Sequence, residues 1–158
     1  MRLLPSGSTA LLVEVDALDD VLALYAALAD APPDGVVDVV PAARTVLLVT
    51  DPARTTLAAV ADAVRTTTPR PDARARGAAV ELPVHYDGED LAEAAQLLDL
   101  SPEALVGRHT GAEWTVAFCG FAPGFGYLTQ PGGGWDVPRR RAGSVSYTHL
   151  TLPTNREV

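Results

Sequence analysis

No lysine occurs in the 158 residues, and all 12 cations are arginines. That excludes a P-loop, whose G-x-x-x-x-G-K-[ST] pattern needs a lysine to reach the phosphates. Ala, Val, Arg, Gly, Pro and Asp are abundant. This reads as a GC-rich codon bias, so the choice of arginine carries no functional message. The single cysteine, Cys119, rules out a disulfide framework within the chain. No uninterrupted apolar run approaches the ~18 residues of a membrane span, so no transmembrane helix and no membrane partner are expected. The opening MRLLPSGSTALLVEV is broken by Pro5, Gly7 and Glu14, lacks a cleavage signature and is not expected to be a signal peptide. A cytoplasmic location is the expectation. Net positive charge is also lacking: the formal charge of -8 argues against a nucleic-acid partner, although Arg139, Arg140 and Arg141 make a local basic run. No His/Cys/Asp spacing resembles a zinc site, and no metal site is expected.

Hydrophobic residues make up 47% of the chain, enough for a core. The length allows one ordinary domain or two small ones. Thr9–Val15 predicts a buried strand. Leu18, Val21, Leu22, Leu24, Tyr25 and Leu28 recur at helical spacing within Asp16–Asp30, with Asp16 as the expected cap and Asp19 and Asp20 in the first turn. Pro32, Pro33 and Gly35 stop that helix. Val36–Val40 and Thr45–Thr50 predict two strands joined through Pro41–Arg44. Asp51 and Pro52 predict a second helix, with Asp51 as N-cap and Pro52 at the first helical position, running to about Arg65. Ala78–Val84 predicts a further strand. The resulting βαββαβ order is the split βαβ, ferredoxin-like plan of an α+β fold. Thr66–Gly77 reads as a loop and domain boundary, which places the first domain at residues 1–80. Beyond it, Asp90–Leu100 predicts an amphipathic helix. Ser101, Pro102 and Glu103 start another, by capping, by the first helical position and by charge on the dipole, and it runs to about Arg108. Trp114–Phe118 predicts a strand. Gly120–Gly134, with six glycines and two prolines, predicts no regular element.

The most unusual stretch is Gly120-Phe121-Ala122-Pro123-Gly124-Phe125-Gly126-Tyr127-Leu128. Its glycines permit positive φ and close approach of backbone to a ligand. Clustered N–H groups would form an anion nest, and Phe121, Phe125 and Tyr127 would wall a pocket for a planar group. The alternative is a tight structural corner with three core aromatics. Gly124 and Gly126 have the spacing of a dinucleotide fingerprint, but Thr129 stands where its third glycine belongs. Cys119 is either a nucleophile served by His109 or a packing residue. His109 is either a proton-transfer group or a cation at a helix C-terminus. Asp87, Glu89 and Asp90 either activate water or form a solvated turn in which Asp90 caps the next helix.

Together these segments resemble a known family. Pro83-Val84-His85-Tyr86-Asp87-Gly88-Glu89-Asp90-Leu91 is similar to the "PV-x-Y…G-x-DL" opening of allophanate hydrolase subunit 1 proteins. His109, Val116 and Gly120–Leu128 resemble that family's "H…V…GF-x-PGF-x-YL" signature, and Val137-Pro138-Arg139-Arg140 its following Pro-Arg-Arg segment. Gly7–Glu14 and Val39–Ala42 occur in the family's order, so the resemblance runs from Met1 to about Arg140. The family is that of the B subunit of 5-oxoprolinase, allophanate hydrolase subunit 1 and the Kip inhibitor, the carboxyltransferase subdomain C and D type.

The resemblance implies a cyclophilin-like β-barrel after the ferredoxin-like domain, incomplete here over residues 81–144. It implies an ATP-dependent hydrolase subunit that opens 5-oxoproline to L-glutamate and is inactive alone. Its partners would be a homologous second barrel subunit and a lactam-hydrolase subunit. ATP, with Mg, would be the co-substrate. His109 would be the catalytic group, and Gly120, Phe121, Pro123, Gly124, Phe125, Tyr127, Arg139 and Arg140 would bind substrate or nucleotide. The same family implies two other roles: inhibition of a histidine kinase, and a carboxyltransferase module of a urea-degrading enzyme.

Residues 145–158 depart from the rest. The Ala/Arg/Asp bias stops, and Val145–Thr154 is similar to a translated transposase-end adapter. A non-native tail is therefore expected from about Val145, together with an unclosed, aggregation-prone barrel.

Overall fold

Alternation of buried and half-buried residues organises the first half of the chain in the computed structural model. Strands β2 (Ala10–Glu14) and β4 (Thr45–Thr50) pair antiparallel, with Leu11 opposite Leu48 and Val13 opposite Val46. Strand side chains alternate between faces, so these four share one face, and all four are buried. β1 (Arg2–Ser6) pairs with the other edge of β2, and β3 (Val36–Pro41) with that of β4, giving the antiparallel order β1-β2-β4-β3. Helix α1 (Leu18–Asp30) lies against β3 and β4, and α2 (Leu57–Thr66) against β2. Val21, Leu24 and Leu28 of α1 and Val60, Ala61 and Val64 of α2 close over Leu11, Val13, Val15, Val46 and Leu48. Each fully buried Val or Leu contributes about 1.5–3 kcal/mol. The buried polar residue Thr50 is satisfied: its N–H and Oγ1 both donate to the Thr9 carbonyl, at 2.8 and 2.9 Å.

The described residues are 1–71, 79–130, 132, 135 and 137. Arg139–Arg141 and the expected tail from Val145 lie outside them. The chain divides into two units. One is Met1–Pro83 with Glu113–Pro131; the other is Val84–Ala112 with the described residues from Gly132 onward. The first unit also holds the antiparallel hairpin of β5 (Thr115–Cys119) and β6 (Gly126–Thr129). The second holds helices α3 (Leu91–Leu97) and α4 (Pro102–Thr110).

An α+β fold with antiparallel sheets is what forms, but its elements depart from the expected order in several places. The strand expected at Ala78–Val84 does not form over its described part: Ala79–Val84 is irregular, with Val80 and Leu82 about three-quarters exposed. The place beside β2 is taken instead by β1. Pro5 hides β1 in the sequence, yet an edge strand tolerates the missing N–H. A cross-strand ion pair, Arg2 to Glu14 at 2.8 Å, accompanies it. Asp16 does not cap α1, whose N-cap is Ala17 in extended conformation without a side-chain bond. Asp51 does not cap α2. Its Oδ1 accepts from the Ala53 N–H and its carbonyl from Arg54 and Thr55, closing a separate turn, and Thr56 caps α2 through the Ala59 N–H. Finally, β6 is a strand inside the glycine-rich stretch, because pairing with β5 satisfies its backbone.

α3 stops three residues short of the expected Leu100. Asp99 adopts φ 56°, the Leu100 N–H donates to the Ala95 carbonyl, and the Asp99 N–H donates to that of Gln96. This is a Schellman closure with Asp where glycine is usual. Asp90 occupies the N-cap position, but its side chain makes no capping bond.

Backbone geometry at two positions can be tested through stability. Gly35 sits at φ +76°, and a Cβ there would lie 2.6 Å from Thr55 Cβ and Cγ2. Gly35→Ala is expected to cost about 2–3 kcal/mol in urea unfolding, from the left-handed backbone and the overlap together. A loss below about 0.5 kcal/mol would refute the overlap. Asp99→Gly is expected to stabilise α3 by roughly 0.5–1 kcal/mol, read from amide exchange at Leu100.

Candidate functional site

The turn between β5 and β6 follows from its residue types. Pro123 and Gly124 form a β-turn closed by the Phe125 N–H donating to the Ala122 carbonyl at 3.0 Å, with Gly124 at φ +76°. Proline then glycine at the central positions is the type II pattern. Before it, the Ala122 N–H donates to the Gly120 carbonyl at 2.8 Å, a γ-turn centred on Phe121 at φ 68°. A left-handed backbone costs a bulky residue about 1–2 kcal/mol. Its effect here is to turn Phe121 outward, where it is 69% exposed.

The aromatic rings form a continuous row. Phe118, buried on β5, stacks on Tyr127 at 4.4 Å between centroids. Tyr127 meets Phe125 edge-on at 5.3 Å, and Phe125 meets Phe121 at 5.4 Å. Such spacings are favourable for ring pairs. The row anchors the loop at Phe118 and presents Phe121 and Phe125 to solvent. The predicted anion nest takes a different form: the Gly120, Ala122 and Phe125 N–H groups all donate to carbonyls within the loop. Those three N–H groups are engaged within the loop, and what it exposes is the aromatic surface of Phe121 and Phe125.

His109 lies in the other unit, in the last turn of α4. The start of that helix is as expected. The Ser101 hydroxyl accepts from the Ala104 N–H at 3.2 Å, and Pro102 stands in the first turn. The backbone N–H of Glu103 itself, and then the Ser101 hydroxyl, hold the Glu103 carboxyl below its ordinary value. At the far end, the Tyr86 hydroxyl and His109 Nδ1 are 2.6 Å apart. The imidazole meets the rings of Tyr86 and Trp135 edge-on, each at 5.8 Å. The Arg108 guanidinium lies 4.7 Å over the Trp135 ring, at cation–π distance. Sequence reasoning assigns no role to Tyr86, Arg108 or Trp135. They stand 23 residues before, next to and 26 residues after His109, and no spacing rule joins them.

The remaining candidates separate. Cys119 ends β5, exposed, in the unit that does not contain His109. Asp87, Glu89 and Asp90 form no converging group: among the described residues no three His, Cys, Asp or Glu side chains come together. Arg139 and Arg140 lie outside the described residues. A cleft of about 510 Å³ opens in the first unit between α1 and the hairpin, lined by Tyr25, Val116 and the Asp30–Arg70 ion pair among others. Among the described residues, none of the predicted site residues lines it. Among the described residues, no helix is long and apolar enough to cross a membrane.

The cap of α4 carries a prediction about the helix that bears His109. Ser101→Ala is expected to cost about 1 kcal/mol. Because the folded-state Glu103 value is lowered, its contribution is present above the ordinary carboxylate range and is lost as pH falls through the folded value. Amide protection at Ala104 and Leu105 should therefore fall on acidification, and Glu103→Gln should remove that dependence.

Two known proteins bear on this arrangement. The chain is 50% identical over 52 residues to the B subunit of 5-oxoprolinase from Bacillus subtilis (strain 168), a match covering 31% of this chain and 22% of that protein. The crystal structure of the protein TTHA0988 superposes with a TM-score of 0.60 at 34% identity, covering 84% of this chain and 28% of that one. A second crystal form of the same protein gives a TM-score of 0.60 at 32% identity, covering 84% and 27%. The chain thus spans about a quarter of the length of these relatives. Residues 1–148 match the family described as the carboxyltransferase domain, subdomain C and D, and the chain belongs to that family.

Proposed function

We propose that this chain is part of a subunit of an ATP-dependent 5-oxoprolinase, which opens the cyclic amide of 5-oxoproline to L-glutamate. The observation that carries the reading is the 50% identity over 52 residues to a protein named as the B subunit of that enzyme. The activity belongs to the longer protein, assembled with a homologous barrel subunit and a lactam-hydrolase subunit in the cytoplasm, and this chain is inactive alone. On this reading the helix-covered sheet is the ferredoxin-like domain, and the residues after 80 begin the cyclophilin-like barrel.

A lactam is a stable amide, and its opening needs an activated carbonyl. ATP, when bound, supplies the phosphoryl group that turns the amide oxygen into a leaving group. The chain's own residues would bind and orient. The exposed rings of Phe121 and Phe125 suit a planar base or a lactam ring. Gly120, Pro123, Gly124 and Tyr127 shape the turn that presents those rings. Arg139 and Arg140 are the cations proposed for phosphate or carboxylate, through paired N–H donors. His109 is the group proposed to hold a proton at the reacting oxygen. A second reading, carboxyl transfer, is favoured by the family's description and would share the same oxyanion-binding residues.

The test is co-expression of the complete gene with both partner subunits and an assay of glutamate release from 5-oxoproline. The expected result is ATP-dependent release that requires all subunits. A well-assembled complex with no release would reject 5-oxoproline as the substrate and leave carboxyl transfer to be assayed.

A further inference from the structure

We infer that the face of the four-stranded sheet turned away from α1 and α2 is a docking surface for a second copy of this chain. The two sheets pack face to face about a two-fold axis that runs along the strands, midway between β2 and β4. The inference stands apart from the hydrolase reading and uses none of the residues given a role in that chemistry.

Residues paired across antiparallel strands share a face. Leu4 pairs with Leu12, Leu12 with Leu47 and Leu47 with Val40, so one apolar row crosses all four strands. Leu11, Val13, Val46 and Leu48 alternate with this row and face the helices, so the row faces the other way. Leu4, Leu12 and Leu47 are half-buried there, and Val40 is 39% exposed. Within the first unit, both helices close over the opposite face. An antiparallel sheet with helices on one side and water on the other alternates apolar with polar residues. β4 instead reads Thr-Val-Leu-Leu-Val-Thr, four apolar residues in succession, the pattern of a strand covered on both faces.

Charge and register point to a second copy as the occupant. The chain carries a formal charge of -8, so two copies repel unless they meet through a face with little net charge. On one side of the apolar row, Arg2 and Glu14 neutralise each other at 2.8 Å. On the other side, the row Ser6, Ala10, Val49 and Asp38 holds one charge, Asp38. The strand order β1-β2-β4-β3 is symmetric about the line between β2 and β4. A two-fold axis parallel to that line therefore sets β2 over β4 of the second copy, and β1 over its β3. Leu12 then meets Leu47 and Leu4 meets Val40. Each acid meets a hydroxyl: Glu14 faces Thr45, and Asp38 faces Ser6. No like charges oppose one another, which is the self-complementarity an isologous contact needs. Sheets stacked in this way lie about 10 Å apart. Four strands ~4.8 Å apart and five residues long cover roughly 300–350 Å² per copy. A standard interface buries about 800 Å² per partner, so the dimer is expected to be weak, with Kd on the order of micromolar or above.

The test is analytical ultracentrifugation of the full chain from micromolar to about millimolar concentration, the range a small interface calls for. The expected result is a reversible monomer–dimer equilibrium. Leu12→Glu and Leu47→Arg should each weaken it at least tenfold, because each places an unpaired charge at the centre of the contact. Mixing the two variants should restore dimers, since the new carboxylate of one copy then faces the new guanidinium of the other. Phe121→Ser, on the hairpin loop, should leave the equilibrium unchanged. A chain that stays monomeric throughout overturns the inference and leaves the face to a different partner. A dimer that survives Leu12→Glu and Leu47→Arg, or that is lost in Phe121→Ser, overturns it in favour of another surface. Failure of the mixed variants to associate overturns the two-fold pairing. If the substituted chains do not fold, the unsubstituted chain decides. In a mixture of isotope-labelled and unlabelled copies, NOEs between Leu12 methyls of one copy and Leu47 methyls of the other are expected, and their absence from a dimer overturns the inference.

Discussion

The register between β2 and β4 is the constraint on which the first unit depends. Val13 faces Val46 and Leu11 faces Leu48, and it is over these residues that the two helices bury Val21, Leu28, Val60 and Val64. A slip of one residue on β2 would bring Leu12 and Glu14 to the helix side, burying a carboxylate where Val13 now sits. The two strands are separated in the chain by α1 and β3, so their pairing closes a long loop. Gly35, at the entry to β3, lets that loop turn tightly against Thr55.

Two kinds of chemistry are built on different supports. The hairpin loop depends on backbone: a Pro-Gly turn and a γ-turn at Phe121 engage several N–H groups internally and push aromatic surface outward. The His109 cluster depends on side chains: a capped, proline-started helix carries the imidazole, and Tyr86 and Trp135 hold its plane. The first arrangement exposes aromatic rings, and the second packs an imidazole edge-on against two others.

Local rules locate most elements of the first unit. α1, β3, β4 and, in the second unit, the Ser101 cap of α4 each carry their signal within a few neighbouring residues. The misplaced caps show where such rules stop. Asp16 and Asp51 are good capping residues in the abstract, but each helix begins where its apolar stripe meets the sheet, and the aspartates fall outside that point. Pro5 and Gly126 weaken the strand patterns of β1 and β6, and only a partner strand compensates for them. The segment expected as a strand at Ala78–Val84 has the right composition, but its place beside β2 is held by β1.

Family membership is legible in the chain alone. The Gly120–Leu128 signature, the absence of lysine, the apolar periodicity and the turn residues are all local, and local physics reads them directly. Three things depended on folding: which strand lies beside β2, which N–H groups of the loop are already engaged, and which residues surround His109. Those outcomes rest on contacts between segments distant in the chain. Tyr86, His109 and Trp135 meet because the fold brings them together, and nothing in their spacing foretells it.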